Sequence, residues 1–262
     1  APCFALPASC ALAMMIKAPR AGENKTRLVP PLAPDEAAAL SICFLRDTAA
    51  NIAGVTSQGD AESIAVYTPV GAETAFDGLL PETFKLLGQR GDGLGERLFY
   101  ATEDLLAVGY QSVCLINSDS PTLPSALLQA AVSTLARAGD RVVLGAADDG
   151  GYYLIGLKRA HRHLFEKIDW STPRVLSQTV ERAAEIDLEV EVLPAWYDVD
   201  DAATLRNLCD ELFGGNGRCT PRDGLVRYEA THTTEYLARL FKAEGRQRLW
   251  PGNRSISLGR VD

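Results

Sequence analysis

Lysine and arginine crowd one short stretch of the chain. Lys17, Arg20, Lys25 and Arg27 all fall between Lys17 and Leu28. Ammonium and guanidinium groups at this density can hold phosphate oxygens through charge-assisted hydrogen bonds. The alternative is a solvated basic loop. It is not a Walker A loop, because Asn24 rather than Gly precedes Lys25, and no Gly-x-Gly-x-x-Gly fingerprint occurs there. Carboxylates recur at three later points. In Asn117-Ser118-Asp119-Ser120-Pro121, Asp119 ends an apolar run. A carboxylate at a strand end can hold Mg²⁺ or Mn²⁺ against a diphosphate, or simply cap a helix or shape a turn. Asp148-Asp149-Gly150-Gly151 supplies adjacent acids that could ligate metal, orient a sugar hydroxyl or act as a base; Asp-Gly is equally a hairpin signal. In Asp198-Val199-Asp200-Asp201, Asp198 and Asp200 are expected to face opposite sides, one toward a metal on Asp119 and the other toward solvent, while Asp201 suits a helix cap. Finally, Gly91-Asp92-Gly93-Leu94-Gly95-Glu96-Arg97 either lets backbone approach a base or ribose closely or is an ordinary turn before a helix.

These residues need strand ends to converge. Apolar runs predict strands over 10–16, 62–68, 84–87, 113–116, 141–146, 152–157 and 188–193. Helical patterns predict helices over 34–52, 71–80, from Leu94, 125–138, 173–185, 202–213 and 229–243. Leu40, Cys43, Phe44 and Thr48 form the stripe of the first helix, and Leu94, Leu98, Leu105 and Leu106 are expected inward on the third. Ser171 or Thr172 should cap the fifth. Alternating strands and helices imply a three-layer α/β/α sandwich whose central sheet is mostly parallel. The short turn at 147–151 implies one antiparallel strand. Residues 1–9 read as a leader, 10–213 as one nucleotide-binding domain, and 214–262 as a Gly-rich linker and helical extension packed on it, with the last dozen residues extended.

The chain has 262 residues, is 47% hydrophobic, and carries a formal net charge of -8. It can bury a large core, and it lacks the basic footprint of a nucleic-acid binder. An acidic protein that holds phosphates needs a local cation cluster or a bridging metal. The six cysteines form no Cys-x-x-Cys pair and there are only three histidines, which argues against zinc and, with no other export signal, for a reducing cytoplasm. Cys43 and Cys114 read as core. No apolar run is expected to span a bilayer. The oligomeric state, a homodimer included, stays open.

In combination these motifs resemble a known family. Lys17-x-Pro19, Lys25-Thr26-Arg27-Leu28, Gly93-Leu94-Gly95-Glu96-Arg97, Ser118-Asp119-Ser120-Pro121-x-Leu123-Pro124, Asp148-Asp149-Gly150-Gly151-Tyr152-Tyr153, Ile168-Asp169-Trp170-Ser171-Thr172 and Asp198-Val199-Asp200 occur in the order seen in a family formerly labelled a domain of unknown function. Its members are described as GT-A-type glycosyltransferases, some of arsenosugar biosynthesis. It is similar to the nucleotide-diphospho-sugar transferase superfamily, which includes 2-phospho-lactate and molybdenum-cofactor guanylyltransferases. The resemblance covers about residues 10–213. It implies a GT-A-like fold, a Mg²⁺ or Mn²⁺ ion on Asp119 and Asp200, and Lys17, Arg20, Lys25 and Arg27 at phosphates. It also implies Gly91, Gly93 and Arg97 beside the nucleotide, and Asp149 or Asp169 as the base that activates an acceptor. Here the late motif lacks the Thr-Pro-Glu that relatives carry after Asp-x-Asp, which predicts a weaker helix start. The first metal position reads Asn117-Ser118-Asp119, one carboxylate fewer than Asp-x-Asp. The expected activity is metal-dependent sugar transfer from a nucleotide-diphospho-sugar. The alternatives are a guanylyltransferase-like joining of a nucleoside monophosphate to a phosphorylated small molecule, and a non-catalytic nucleotide-binding module.

Overall fold

The computed structural model describes residues 9–20, 25–214 and 224–250. Seven strands form one sheet: β1 (Cys10–Lys17), β2 (Ala61–Thr68), β3 (Lys85–Gly88), β4 (Ser112–Ile116), β5 (Arg141–Ala147), β6 (Tyr152–Leu157) and β7 (Glu189–Trp196). Their order is β3-β2-β1-β4-β6-β5-β7. β6 runs antiparallel to both β4 and β5, and every other pairing is parallel. The tight 147–151 turn produces that reversal, because the four residues between β5 and β6 cannot carry a crossover.

The helices are α1 (Pro34–Thr56), α2 (Leu94–Val108), α3 (Ser125–Ala136), α4 (Val175–Ala184), α5 (Ala202–Phe213) and α6 (Thr231–Glu244). Strand alternation sorts the core onto two faces. Cys10, Leu12, Met14 and Ile16 join Leu40, Phe44, Leu127, Leu208 and Leu237 on the face covered by α1, α3, α5 and α6. Ala11, Ala13, Val113 and Leu115 join Leu98, Leu105 and Ala183 on the face covered by α2 and α4. With both faces covered, the strands read as unbroken apolar runs. The expected three-layer sandwich is the observed architecture.

Three local expectations are corrected. Residues 71–80 do not form an α-helix; only a 3-10 turn, Glu73–Phe76, appears. Gly71 (φ 90°) and Gly78 (φ 68°) sit at either end in the left-handed region, which interrupts an α-helical ladder. α4 begins at Val175, later than expected, and its N-cap, Arg174, makes no side-chain cap. Thr172 donates its hydroxyl to the Asp169 carbonyl at 2.7 Å and accepts from the Arg174 backbone at 3.3 Å, so it serves the turn just before α4. Leu94 is 48% exposed rather than inward. It is the first residue of α2, where the side chain leans back over the helix start. The leader up to residue 8, the linker beyond Gly214 and the last dozen residues lie outside the described residues. By length and hydropathy α1 could cross a membrane, yet half of that window is buried against the rest of the domain.

α6 docks on α1 through an interaction that no local pattern announces. Asp47, 1% exposed, accepts hydrogen bonds from the backbone of His232 (2.9 Å) and Thr233 (2.8 Å). A carboxylate of α1 thereby caps the first turn of α6, where unpaired N–H groups and the helix dipole favour negative charge. Farther along, Arg248 clasps Glu36 at 2.7 Å, and the Trp250 indole donates to Asp210 at 2.7 Å. Asp47→Ala should cost about 2–3 kcal/mol, because it leaves the buried Thr233 N–H and the partly buried His232 N–H unpaired. The melting temperature should fall by roughly 4–10 °C for a chain of this size. An unchanged melting temperature in Asp47→Ala would refute the capping role.

Candidate active site

β1 and β4 are parallel neighbours, and the sheet grows away from them in opposite directions, through β2 on one side and β6 on the other. At such a switch point the loops leaving the strand ends part and open a crevice. A cavity of about 540 Å³ lies there, lined among others by Lys17, Lys25, Arg27, Arg97, Asp119 and Asp200. Six sequence-predicted residues from four stretches of the chain are thus brought together. Arg20 is exposed and does not line the cavity. Gly91 and Gly93 act through backbone: the Gly91 carbonyl accepts from Arg97 Nε at 3.2 Å, and the Gly93 carbonyl accepts from the Arg97 backbone at 3.0 Å.

Lys25 is the centre of this cavity's electrostatics. Its backbone is left-handed (φ 53°) at the head of the 3-10 turn Thr26–Leu28. Its ammonium lies 2.8 Å from Asp119 Oδ1 and 2.7 Å from Asp200 Oδ1, and donates to the Val199 carbonyl at 2.9 Å. The Lys25 side chain is 8% exposed, whereas those of Asp119 and Asp200 are 38% and 43% exposed. Burial opposes the charge, but the two carboxylates outweigh it and hold the Lys25 ammonium above the ordinary lysine pKa.

The local chain explains why both carboxylates arrive there. The Asp119 carbonyl accepts from the Val199 backbone at 2.9 Å, which splices the end of β4 to the segment after β7. Asp198 accepts from Asn117 Nδ2 at 2.8 Å and from the Ser120 hydroxyl. The expectation that Asp198 and Asp200 face opposite sides is corrected: both line a second cavity that adjoins this one, as residues two apart in extended chain do, and Asp198 meets the β4 loop rather than solvent. Burial pushes its carboxyl up to about 6; the bonds from Ser120 and Asn117 restrain that rise, and the charges of Asp119 and Asp200 add to it. Asp201 caps α5, accepting from the backbones of Ala203 (2.9 Å) and Thr204 (2.8 Å). The Thr204 hydroxyl accepts from the Asp200 backbone at 3.0 Å, so Asp201 and Thr204 replace the missing Thr-Pro-Glu start.

A divalent cation can be tested against this donor set. Asp119 and Asp200 converge on one point, the Lys25 nitrogen, so they bracket a single cation-sized volume. Among the described residues no three His, Cys, Asp or Glu side chains gather as a metal cage. Two carboxylates with further places for phosphate oxygens and water is the pattern suited to Mg²⁺ with a nucleotide, so the residues fit that mode.

A second cavity, about 380 Å³, adjoins the first and shares Arg27, Leu94 and Asp200 with it. Its other walls include Asp149, Trp170, Thr172, Pro173 and Asp198. Asp149 performs turn chemistry as well, accepting from the Gly151 backbone at 2.8 Å. Asp169 does not line the cavity: its carboxylate pairs with Arg174 at 2.8 Å and accepts from Gln178 at 2.7 Å. Sequence reasoning missed Gln89, which lines the first cavity and donates to the carbonyls of Val66 (2.7 Å) and Ile16 (3.2 Å). The Trp170-Ser171-Thr172 loop, which the sequence offers as one that could close over an acceptor, lines the second cavity. Gln89 precedes the Gly-rich motif, and that adjacency was the available signal. Trp170 shows its place only once α2 is packed, with Gly95 so close that an added Cβ would stand 2.9 Å from the indole nitrogen.

A family model described as an uncharacterized protein conserved in bacteria, DUF2064, matches residues 51–172. A crystal structure from Desulfovibrio desulfuricans G20, provisionally named a nucleotide-diphospho-sugar transferase, is 30% identical over 92% of this chain and 98% of its own, with a TM-score of 0.75. More distant is an inositol-1-phosphate CTP transferase of T. maritima, 14% identical over 78% of this chain and 94% of its own, with a TM-score of 0.48. So is a 4-diphosphocytidyl-2C-methyl-D-erythritol synthase of Anaerococcus prevotii DSM 20548, 11% identical over 88% and 97%, with a TM-score of 0.46. No curated protein matches the chain.

Gly150 shapes the second cavity. Its φ is 89°, and an added Cβ would stand 2.2 Å from the Pro173 carbonyl oxygen. Gly150→Ala should destabilise the fold by at least about 1–2 kcal/mol from the left-handed backbone alone. Gly151→Ala meets only the Asp149 carboxylate, at 3.1 Å, and should shift thermal stability less. Equal melting temperatures for the two variants would contradict this geometry.

Proposed function

This chain belongs to the same family as the Desulfovibrio protein, the nucleotide-diphospho-sugar transferase-like proteins of DUF2064, and from that premise we propose that it is a metal-dependent glycosyltransferase with a nucleotide-diphospho-sugar donor. The observation that carries the reading is the pair of adjoining cavities, of which the first is rich in cations and the second has one. The first presents Lys17, Arg27 and Arg97, the charges a diphosphate needs, beside Asp92 and the Asp119–Asp200 pair that Lys25 bridges. The second presents Asp149, Asp198 and Asp200 against the one shared cation, Arg27. That lining suits an acceptor that brings a hydroxyl and no phosphate of its own. It therefore favours sugar transfer over the joining of a nucleoside monophosphate to a phosphorylated molecule.

In this reading the nucleotide lies along the first cavity with its diphosphate toward Arg27 and the Asp119–Asp200 pair. The sugar projects past Leu94 toward the second cavity. Asp149 takes the proton of an acceptor hydroxyl as that oxygen bonds to the anomeric carbon and the bond to the diphosphate breaks. Arg27 and Arg97 stabilise the charge that builds on the leaving diphosphate. A divalent cation on Asp119 and Asp200, when bound, neutralises the same charge as a Lewis acid. Trp170 walls off the acceptor side and limits water near the anomeric carbon.

Calorimetry with UDP, GDP, CDP and ADP, their sugars and their triphosphates, each with and without Mn²⁺, tests the donor. One diphosphate or its sugar should bind in a metal-dependent way, and Asp119→Ala should weaken it at least about tenfold, or 1.4 kcal/mol. Preference for a triphosphate would move the assignment to nucleotidyl transfer. Nucleotide binding that survives Asp119→Ala without turnover would indicate a non-catalytic module. Once the donor is known, Asp149→Asn should keep donor affinity and lose transfer by about 10²–10⁴-fold, the usual contribution of a general base. An Asp149→Asn variant that transfers at the wild-type rate would remove Asp149 from the mechanism.

A further inference from the structure

Lys25 has no hydrogen left for a phosphate. An ammonium carries three donors, and here all three are engaged, by Asp119 Oδ1, Asp200 Oδ1 and the Val199 carbonyl. The group is nearly sealed from solvent, packed with its nitrogen 5.8 Å from the Phe44 ring centroid. The carboxylates it bridges are open on their cavity side. The oxygens a divalent cation would take are therefore reachable, but they already share a cation supplied by the chain. Without either cation, Asp119 and Asp200 would face each other, and Asp198 behind them, as uncompensated like charges.

We propose that Lys25 is an exchangeable counter-ion: it holds the Asp119–Asp200 pair together in the empty protein and gives up that pair when a divalent cation arrives, which frees its donors for the nucleotide's phosphates. Metal binding and phosphate capture are then one coupled event. The two carboxylate oxygens cannot serve the ammonium and the metal at full strength together. The metal's affinity for the empty protein is consequently reduced by the free energy needed to displace Lys25, as for any ligand that binds a minor state. The inference rests on the reading that a divalent cation works at this pair.

The experiment is a titration of the full chain with Mn²⁺ alone, followed by electron paramagnetic resonance of the free ion, so that activity is not the readout. Lys25→Gln and Lys25→Met should each bind Mn²⁺ at least about tenfold more tightly than the wild type, since the competitor is gone. Lys25→Arg, which keeps the charge, should show no such gain. Adding Asp119→Asn to Lys25→Gln should abolish the gain and so locate the ion. Two different neutral replacements guard against one that fails to fold. The proposal is overturned if neither neutral variant gains affinity, or if Lys25→Arg gains as much. Should the neutral variants gain nothing while the wild type binds a nucleotide in a metal-dependent way, the exchange fails and the transferase reading stands. Should they gain while no nucleotide binds the wild type, the exchange stands and the transferase reading fails.

Discussion

A single buried ammonium joins three remote parts of this chain. Lys25 comes from the loop after β1, Asp119 from the end of β4, and Asp200 from the segment between β7 and α5. The Val199 carbonyl completes its shell, while the Val199 amide binds the Asp119 carbonyl. Four carboxylates, those of Asp119, Asp198, Asp200 and Asp201, lie within two residues of these contacts, and the ammonium offsets the repulsion among the like charges gathered there. The walls of both cavities depend on this junction, because Asp200 and Arg27 belong to both.

The sheet explains why the junction lies where it does. A parallel pair flanked by strands running off in opposite directions leaves a gap at its carboxyl ends, and β1 and β4 are that pair. The antiparallel β6 then brings the Asp149 turn, at the start of that strand, to the same edge. One topological irregularity therefore delivers the acidic second cavity beside the first, where cations and carboxylates mix. The difference in charge between the two follows from strand order and not from overall composition.

Much of the fold was legible because its cause is local. Unbroken apolar runs marked the strands, and β1, β4, β5 and β6 fell within a residue or so of their expected bounds. The convergence of Lys17, Lys25, Arg27, Asp119 and Asp200 was legible from their positions after strands. What was not legible depends on partners distant in sequence. Leu94 has the spacing of a core residue, yet its place at the head of α2 turns it onto the cleft. Asp169 sits in a motif with Trp170, but Arg174 and Gln178 engage its carboxylate. Asp47 looks like any helix-surface acid until α6 arrives from 185 residues away to be capped. Lys25 read as a phosphate ligand, and nothing in its neighbours indicates that its donors are already taken.

The measurement that tests this account most directly is a crystal structure of the full chain with Mn²⁺ and the nucleoside diphosphate it binds best. The account predicts the ion between Asp119 and Asp200, the diphosphate against Arg27 and Arg97, and the Lys25 nitrogen turned from the carboxylates to a phosphate oxygen. A nucleotide bound outside this cavity, or one bound within it while Lys25 still bridges both carboxylates, would contradict it.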